Sequence, residues 1–375
     1  MEFDFSKAQL LLQQSAREFT KREIEPLAAR IDRDGLLPDD LLTKMAEINL
    51  PGMIFPTEYG GSGASSLSCI LAIEQIGYSG TGAWWLAAFT NSIPECIIRF
   101  GTDDQKRKYL KPVCDGHVYP SIQFTEENTG SDPESLITTA IPDGDHYVIN
   151  GMKRFSTFGS RPGYAILYAK DETEKCSAFI VEKNAKGYST SRNYDLSGGG
   201  GIETSDIFLE NLMVPEENLL GVKGAGLGIL LYWIAYEKIQ QCAACLGIAQ
   251  SALDEARKYA KSRIVKGKPM AKLLSIRSML AEMYSRLQAA RWLTYRTAFL
   301  KDSDAPGWMT EAAAAKLFVV PTVMEIVEMA RQIHGAYGYT KEYKIERLSR
   351  AIAGASVIAV GLEINRSIVS APLIK

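Results

Sequence analysis

The stretch LLYWIAYEKIQQCAACLGIAQ, residues 230–250, holds one acid, Glu237, in an otherwise apolar helical pattern. At helical spacing its face carries Leu230, Trp233, Ile234, Gln241, Ala244 and Ile248. Burying a carboxylate is costly unless it is paired or has a job. Two roles fit: a structural ion pair with a cation from another helix, or a general base whose proton affinity is raised by apolar surroundings. Lys238, as the immediate neighbour, points to another face and is not the obvious partner.

A second candidate is SIQFTEENTGSD, residues 121–132, where a strand runs into a Gly-Ser-Asp turn. Backbone amides and hydroxyls there suit an anionic or carbonyl-rich ligand, although such turns are common. CAAC at 242–245 has redox spacing but lies inside an apolar helix, which reads as packing. His117, His146 and His334 show no metal-ligand spacing, so no metal site is expected.

These residues need a scaffold, and the 375-residue chain is long enough for two or three domains. Residues 1–112 read as helices with three- and four-residue apolar steps. Residues 113–219 switch to short strands such as HYVING, YAILYAK and CSAFIVEK, bounded by turns, and predict an antiparallel β domain. Residues 220–375 return to long helical patterns at 226–262, 271–301, 309–333 and 345–372, predicting a helical bundle. The KDSDAPGW stretch at 301–308 reads as a connection, and GGGG at 198–201 is the one low-complexity segment.

With 42 Lys and Arg against 44 Asp and Glu, the formal net charge is −2, so no nucleic-acid partner is expected. Six scattered cysteines fit a reducing cytoplasm. The first residues enter an amphipathic helix without a leader pattern, and apolar runs are too short for a membrane span.

Four strings in order, SIQFTEENTGSD, DGDHYVINGMKRFSTFG (143–159), FLENLMVPEENLLG (208–221) and ARQIHGAYGYTKEYKIERLSR (330–350), lie on this α-β-α pattern. Together they resemble the acyl-CoA dehydrogenase family across essentially the whole chain. The resemblance implies an α+β fold with an N-terminal helical domain, a middle antiparallel β domain and a C-terminal four-helix bundle, assembled as a homotetramer. It implies FAD as cofactor, loss of an α-proton and a β-hydride from an acyl thioester, and electron-transfer flavoprotein as acceptor. By position, Phe124 and Thr125 would line the flavin pyrimidine edge, with Gly130 and Ser131 near the flavin and the thioester's phosphate arm. Phe155 stands at a usual Trp and Thr157 at a Thr near flavin N5. Arg263 matches an Arg that reaches the pyrophosphate of a neighbouring subunit, and Gln332 and Gly335 match the segment approaching the adenine dinucleotide. Such roles are physically consistent: pyrophosphate suits Arg and close backbone approach, and a flavin ring suits an aromatic face.

Many members carry the base in a Tyr-Glu-Gly string near the C-terminus; Ile358, Ala359 and Val360 stand there in this chain. The isovaleryl-CoA and long-chain types place it ten residues before a Gly on the first long bundle helix, the position of Glu237 before Gly247. Lys238 replaces the Arg after the base, Lys266 a Phe and Leu274 a Gln, and GGGG stands where an Arg is often found. Trp84, Trp85 and Phe89 read either as core or as residues shaping the acyl chamber, and Asn91 as a polar group within reach of substrate. A short, branched or cyclic acyl-CoA is expected. The alternatives are an acyl-carrier-protein or aminoacyl thioester, a flavin-dependent elimination or reduction, and a non-catalytic binding subunit.

Overall fold

The computed structural model describes residues 4–374. The chain opens with helices α1 (Lys7–Phe19), α2 (Ala28–Asp34), α3 (Leu41–Ala46), α4 (Ser66–Gly77), α5 (Ala83–Phe100), α6 (Asp103–Tyr109) and α7 (Lys111–Cys114). Side-chain caps fix several starts. Ser6 with Gln9, and Thr102 with Gln105, form reciprocal capping boxes, and Ser65 accepts from the Ser68 amide.

Strands β1 (Ser121–Gln123), β2 (Thr139–Asp143), β3 (His146–Thr157), β4 (Tyr164–Lys170), β5 (Cys176–Glu182), β6 (Tyr188–Thr190), β7 (Thr204–Pro215) and β8 (Leu219–Leu220) follow. Their order is β6-β7-β3-β2-β4-β5-β8, with β1 beside β4. The sheet is mixed, which corrects the antiparallel expectation: both β1 and β2 run parallel to β4. Ser121–Gln123 pair with residues 165–167, and Thr139 pairs with Lys170. The two short strands therefore lie end to end along β4, and residues 124–138 leave the sheet and return between them. Apolar alternation reports which face is buried but not strand direction.

The C-terminal part contains α8 (Gly226–Ser262), a hairpin of β9 (Ile264–Val265) and β10 (Lys268–Pro269), α9 (Leu274–Asp302), α10 (Trp308–His334), α11 (Lys344–Ala353) and α12 (Leu362–Ser370). Helix α8 has 37 residues, so it spans roughly 55 Å at 1.5 Å per residue. It crosses α4 where Gly247 meets Gly77. A Cβ on Gly247 would lie 2.1 Å from the Glu74 carbonyl oxygen, and one on Gly77 would lie 2.4 Å from that of Ala244. Backbones this close leave no room for a side chain.

The fourth helical stretch, expected as one run from 345 to 372, is broken into α11 and α12. Between them Ala359 and Val360 have φ of 54° and 70°, a region rare for any residue with a Cβ and strained for a β-branched one. Lys316 of α10 explains the break, because its Nζ donates to the carbonyls of Ile358, Ala359 (3.1 Å) and Val360 (2.8 Å). The GGGG segment is also a close junction: the Gly82 amide donates to the Gly200 carbonyl (2.7 Å), and a Cβ on Gly200 would sit 2.4 Å from the Asp32 Cα. Among the described residues no helix is long and apolar enough to cross a membrane.

Candidate active site

Glu237 sits about a third of the way along α8 with no exposed surface, and neither carboxylate oxygen has a hydrogen-bond partner among the described residues. Burial pushes its pKa up from 4.5 to about 7, and nearby Lys316 and Lys238 partly oppose that rise. Lys238 is itself buried, which brings its pKa down to about 8 with the help of Lys316; Glu237 pulls the other way. Lys316 is lowered for the same first reason, burial. The carboxyl thus has two cations in its field and, among the described residues, no direct ion pair.

An aromatic row leads from α5 to the same face of α8. Trp84 and Trp85 stack at 4.2 Å, Trp85 meets Phe89 edge-on at 4.9 Å, and Phe89 meets both Phe158 (6.1 Å) and Trp233 (5.8 Å). Trp233 lies one turn before Glu237 and donates from Nε1 to Ser92 Oγ at 3.2 Å. All five rings are buried.

Asn91 does not belong to this lining. Its Nδ2 donates to the carbonyls of Leu50 (3.0 Å) and Ala87 (2.8 Å), and its Oδ1 accepts from the Ile54 amide (3.4 Å). With no exposed surface and both ends engaged by backbone, it ties the 50–54 segment to α5. The expected substrate contact is corrected to that role.

On the sheet, the Thr125 carbonyl accepts from the Arg154 amide at 2.7 Å, so the ends of β1 and β3 are joined. The β3/β7 register shifts between Lys153 and Ser156. Phe155, in that bulge with φ of 53°, is turned outward, 57 % exposed and stacked on Tyr194 at 4.7 Å. Phe124, Thr125 and Thr157 are half-buried nearby in the sequence of the same two strand ends, and the Thr157 hydroxyl lies 3.3 Å from that of Thr204. Gly130 and Ser131 are exposed on the 124–138 excursion. Beneath that excursion Lys153 donates to Glu126 (2.6 Å) and to the Tyr168 carbonyl (2.6 Å), while Glu126 accepts from the Ile137 and Thr138 amides. This buried pair fixes where the excursion leaves and rejoins the sheet.

A third group forms at the end of α8. Arg263, His334 and Tyr337, with Tyr259, Tyr343 and Lys344, line a cavity of about 550 Å³. Gln332 is exposed and donates to Glu328 at 2.8 Å, and Gly335 ends α10 with φ of 60° and open space where a Cβ would be.

The residues fit a flavin nucleotide. The outward Phe155 ring and the adjoining Thr157 hydroxyl suit a planar heterocycle, and the Arg263 cavity offers cationic and aromatic groups to a dinucleotide. Sequence reading missed Lys316 and Lys153. Lys316 follows four alanines within an apolar helix, the same signal that drew notice to Glu237. Lys153 shares the buried parity of Tyr147 and Ile149 along β3.

Models of the acyl-CoA dehydrogenase N-terminal, middle and C-terminal domains match residues 6–117, 121–212 and 224–374. The short-chain specific acyl-CoA dehydrogenase of Clostridium acetobutylicum is 34% identical, over 100% of both chains. The chain belongs to the acyl-CoA dehydrogenase family. It is also 36% identical to the 3-(aryl)acrylate reductase of Clostridium sporogenes, over 99% of this chain and 100% of that one. The butyryl-CoA dehydrogenase structure from Megasphaera elsdenii superposes with a TM-score of 0.97 at 30% identity, covering 100% of both chains. As a family member the protein is an FAD-dependent oxidoreductase of acyl-CoA-like substrates.

Proposed function

We propose that this acyl-CoA dehydrogenase family member oxidises a short, branched or cyclic acyl thioester to its 2,3-enoyl form, with Glu237 taking the α-proton. The observation that carries the reading is the enclosed, unpartnered Glu237 carboxyl with a pKa of about 7, in a chain whose 358–360 turn has no carboxylate. Near neutrality such a group holds and releases a proton at comparable free energy, as a general base must. Bound FAD supplies the acceptor for the β-hydride. Phe124, Thr125, Phe155 and Thr157 hold the flavin ring; Arg263, Gln332 and Gly335 serve the dinucleotide of a neighbouring subunit in a homotetramer. Ser131, Gly130 and Lys238 face the thioester, and Trp84 and Trp85 close the acyl end. Electrons leave to electron-transfer flavoprotein in the cytoplasm.

The test is anaerobic titration of the FAD-loaded protein with butanoyl-, 3-methylbutanoyl- and cyclohexanecarbonyl-CoA, followed by flavin bleaching. Glu237→Gln should abolish bleaching while the protein stays yellow, and wild-type kcat/KM should rise with pH through about 7. A Glu237→Gln variant that bleaches at the wild-type rate would remove Glu237 from the chemistry.

The same residues support the reverse reaction, reduction of an enoyl or aryl-acryloyl thioester. At a pKa of about 7, Glu237 is populated as acid as well as base at neutral pH, and the aromatic row from Trp84 to Trp233 suits a planar conjugated group. Reoxidation of dithionite-reduced protein by cinnamoyl-CoA, without oxygen, tests this direction.

A further inference from the structure

Gln241 is 1 % exposed, and neither its Oε1 nor its Nε2 has a hydrogen-bond partner among the described residues. The neighbouring Gln240 turns away, donating to the Ala88 carbonyl on α5 at 3.3 Å. Four residues beyond Glu237, Gln241 lies on the same face of α8, about 6 Å along the helix. Glu237 and Gln241 therefore set four unpartnered polar atoms along one buried turn. An enclosed amide without a hydrogen bond is costly, and folded proteins rarely leave one so. A hydrocarbon chain lying beside this turn would leave it unsatisfied.

The neighbouring charges say which group would satisfy it. Lys238 and Lys316 both act on Glu237, and both are buried. Their field disfavours an ammonium and favours oxygen. A hydroxyl uses both ends of the amide, accepting from Nε2 and donating to Oε1. With Cα held at Glu237, an oxygen on C4 comes within hydrogen-bond reach of a group one helical turn away.

We infer that Gln241 is a specificity-determining residue and that the preferred acyl group is a short chain bearing a hydroxyl oxygen near C4. The inference rests on Glu237 marking the site of the α-carbon. It places an oxygenated acyl thioester, rather than a plain fatty acyl one, at this centre, so the reaction that supplies the substrate must deliver a hydroxyacyl thioester.

The experiment compares 4-hydroxybutanoyl-CoA with pentanoyl-CoA, which have equal numbers of heavy atoms in the acyl group. Each is titrated anaerobically into FAD-loaded wild type and Gln241→Leu, reading both the flavin spectral shift on binding and the bleaching rate. Wild type should favour the hydroxyacyl thioester at least about tenfold in Kd or kcat/KM, one hydrogen bond's worth. Gln241→Leu should invert that order and, having shed an unsatisfied amide, should melt at a higher temperature without thioester. Equal use of both thioesters by wild type, an unchanged ratio in Gln241→Leu, or a lower melting temperature would overturn the inference. The two readouts separate it from the assignment of Glu237: selective binding without bleaching keeps Gln241 and removes the dehydrogenation, while bleaching without selectivity does the reverse.

Discussion

Relative to wild type, thioester-free Glu237→Gln should gain stability as pH rises. In the fold this carboxyl keeps its proton up to about pH 7, whereas unfolded it releases it near 4.5. The folded value is the raised one, so the native state binds more protons between these limits. Stability therefore falls as pH climbs through that window and stays reduced above it. At ~1.4 kcal/mol per unit, the full contribution is about 3 kcal/mol, of which about 2 kcal/mol accumulates between pH 5 and pH 7. Lys238 titrates at about 8, so work at or below pH 7 keeps its ionisation out of the comparison. The assay is urea unfolding of FAD-loaded wild type and Glu237→Gln at pH 5, 6 and 7. Any pH-independent cost of burying the Gln amide cancels in the change of the difference with pH. The Gln variant should gain about 2 kcal/mol on wild type over this interval. Parallel pH profiles would refute an enclosed acid with raised proton affinity. A Gln variant that loses ground as pH rises would mean that Glu237 is ionised and paired, the opposite sign.

Lys316→Met deprives the carbonyls of Ile358, Ala359 and Val360 of their donor and should cost roughly 2–4 kcal/mol, while Ala359→Gly relieves a φ of 54°. If Lys316 holds that strained turn, a double-mutant cycle by urea unfolding should give a coupling above about 0.5 kcal/mol, and additivity would separate the two. Asn91→Leu should lower unfolding free energy by about 2–3 kcal/mol through three lost backbone hydrogen bonds, with thioester KM unchanged. A shifted KM at unchanged stability would return Asn91 to the substrate. Gly247→Ala puts a Cβ 2.1 Å from the Glu74 carbonyl and should destabilise by about 3 kcal/mol, measured by calorimetric melting.

The α-β-α order and the three long bundle helices were legible because each helix buries a continuous face and so writes a 3.6-residue period over many turns. Strand direction was not. Residues 121–123 and 139–143 look like any short strands, and only their shared neighbour β4 makes them parallel. The break at 354–361 was hidden because RAIAGASVIAVG is as apolar as a helix, and the cause of the break, Lys316, lies some forty residues earlier. Glu237 was legible as a lone acid on an apolar face. Asn91 was misread because its hydrogen-bond partners at Leu50 and Ile54 belong to a segment that sequence spacing cannot place beside it.

The position of Glu237 has a physical logic that joins these separate features. A side chain on a helix buried along most of its length is held by backbone hydrogen bonds in both directions, so its carboxyl is aimed more rigidly than one on an irregular turn. The net cost of that placement, burial offset by the two lysines, is about 3 kcal/mol at neutral pH. Burial alone would raise the proton affinity further. Lys316, acting from α10, and Lys238 hold it lower. The Lys316 ammonium is spent on the carbonyls of 358–360, which is why it sits near Glu237 without closing an ion pair on it. The turn thus engages the Lys316 ammonium, whose charge lowers the proton affinity of Glu237 without a hydrogen bond to it.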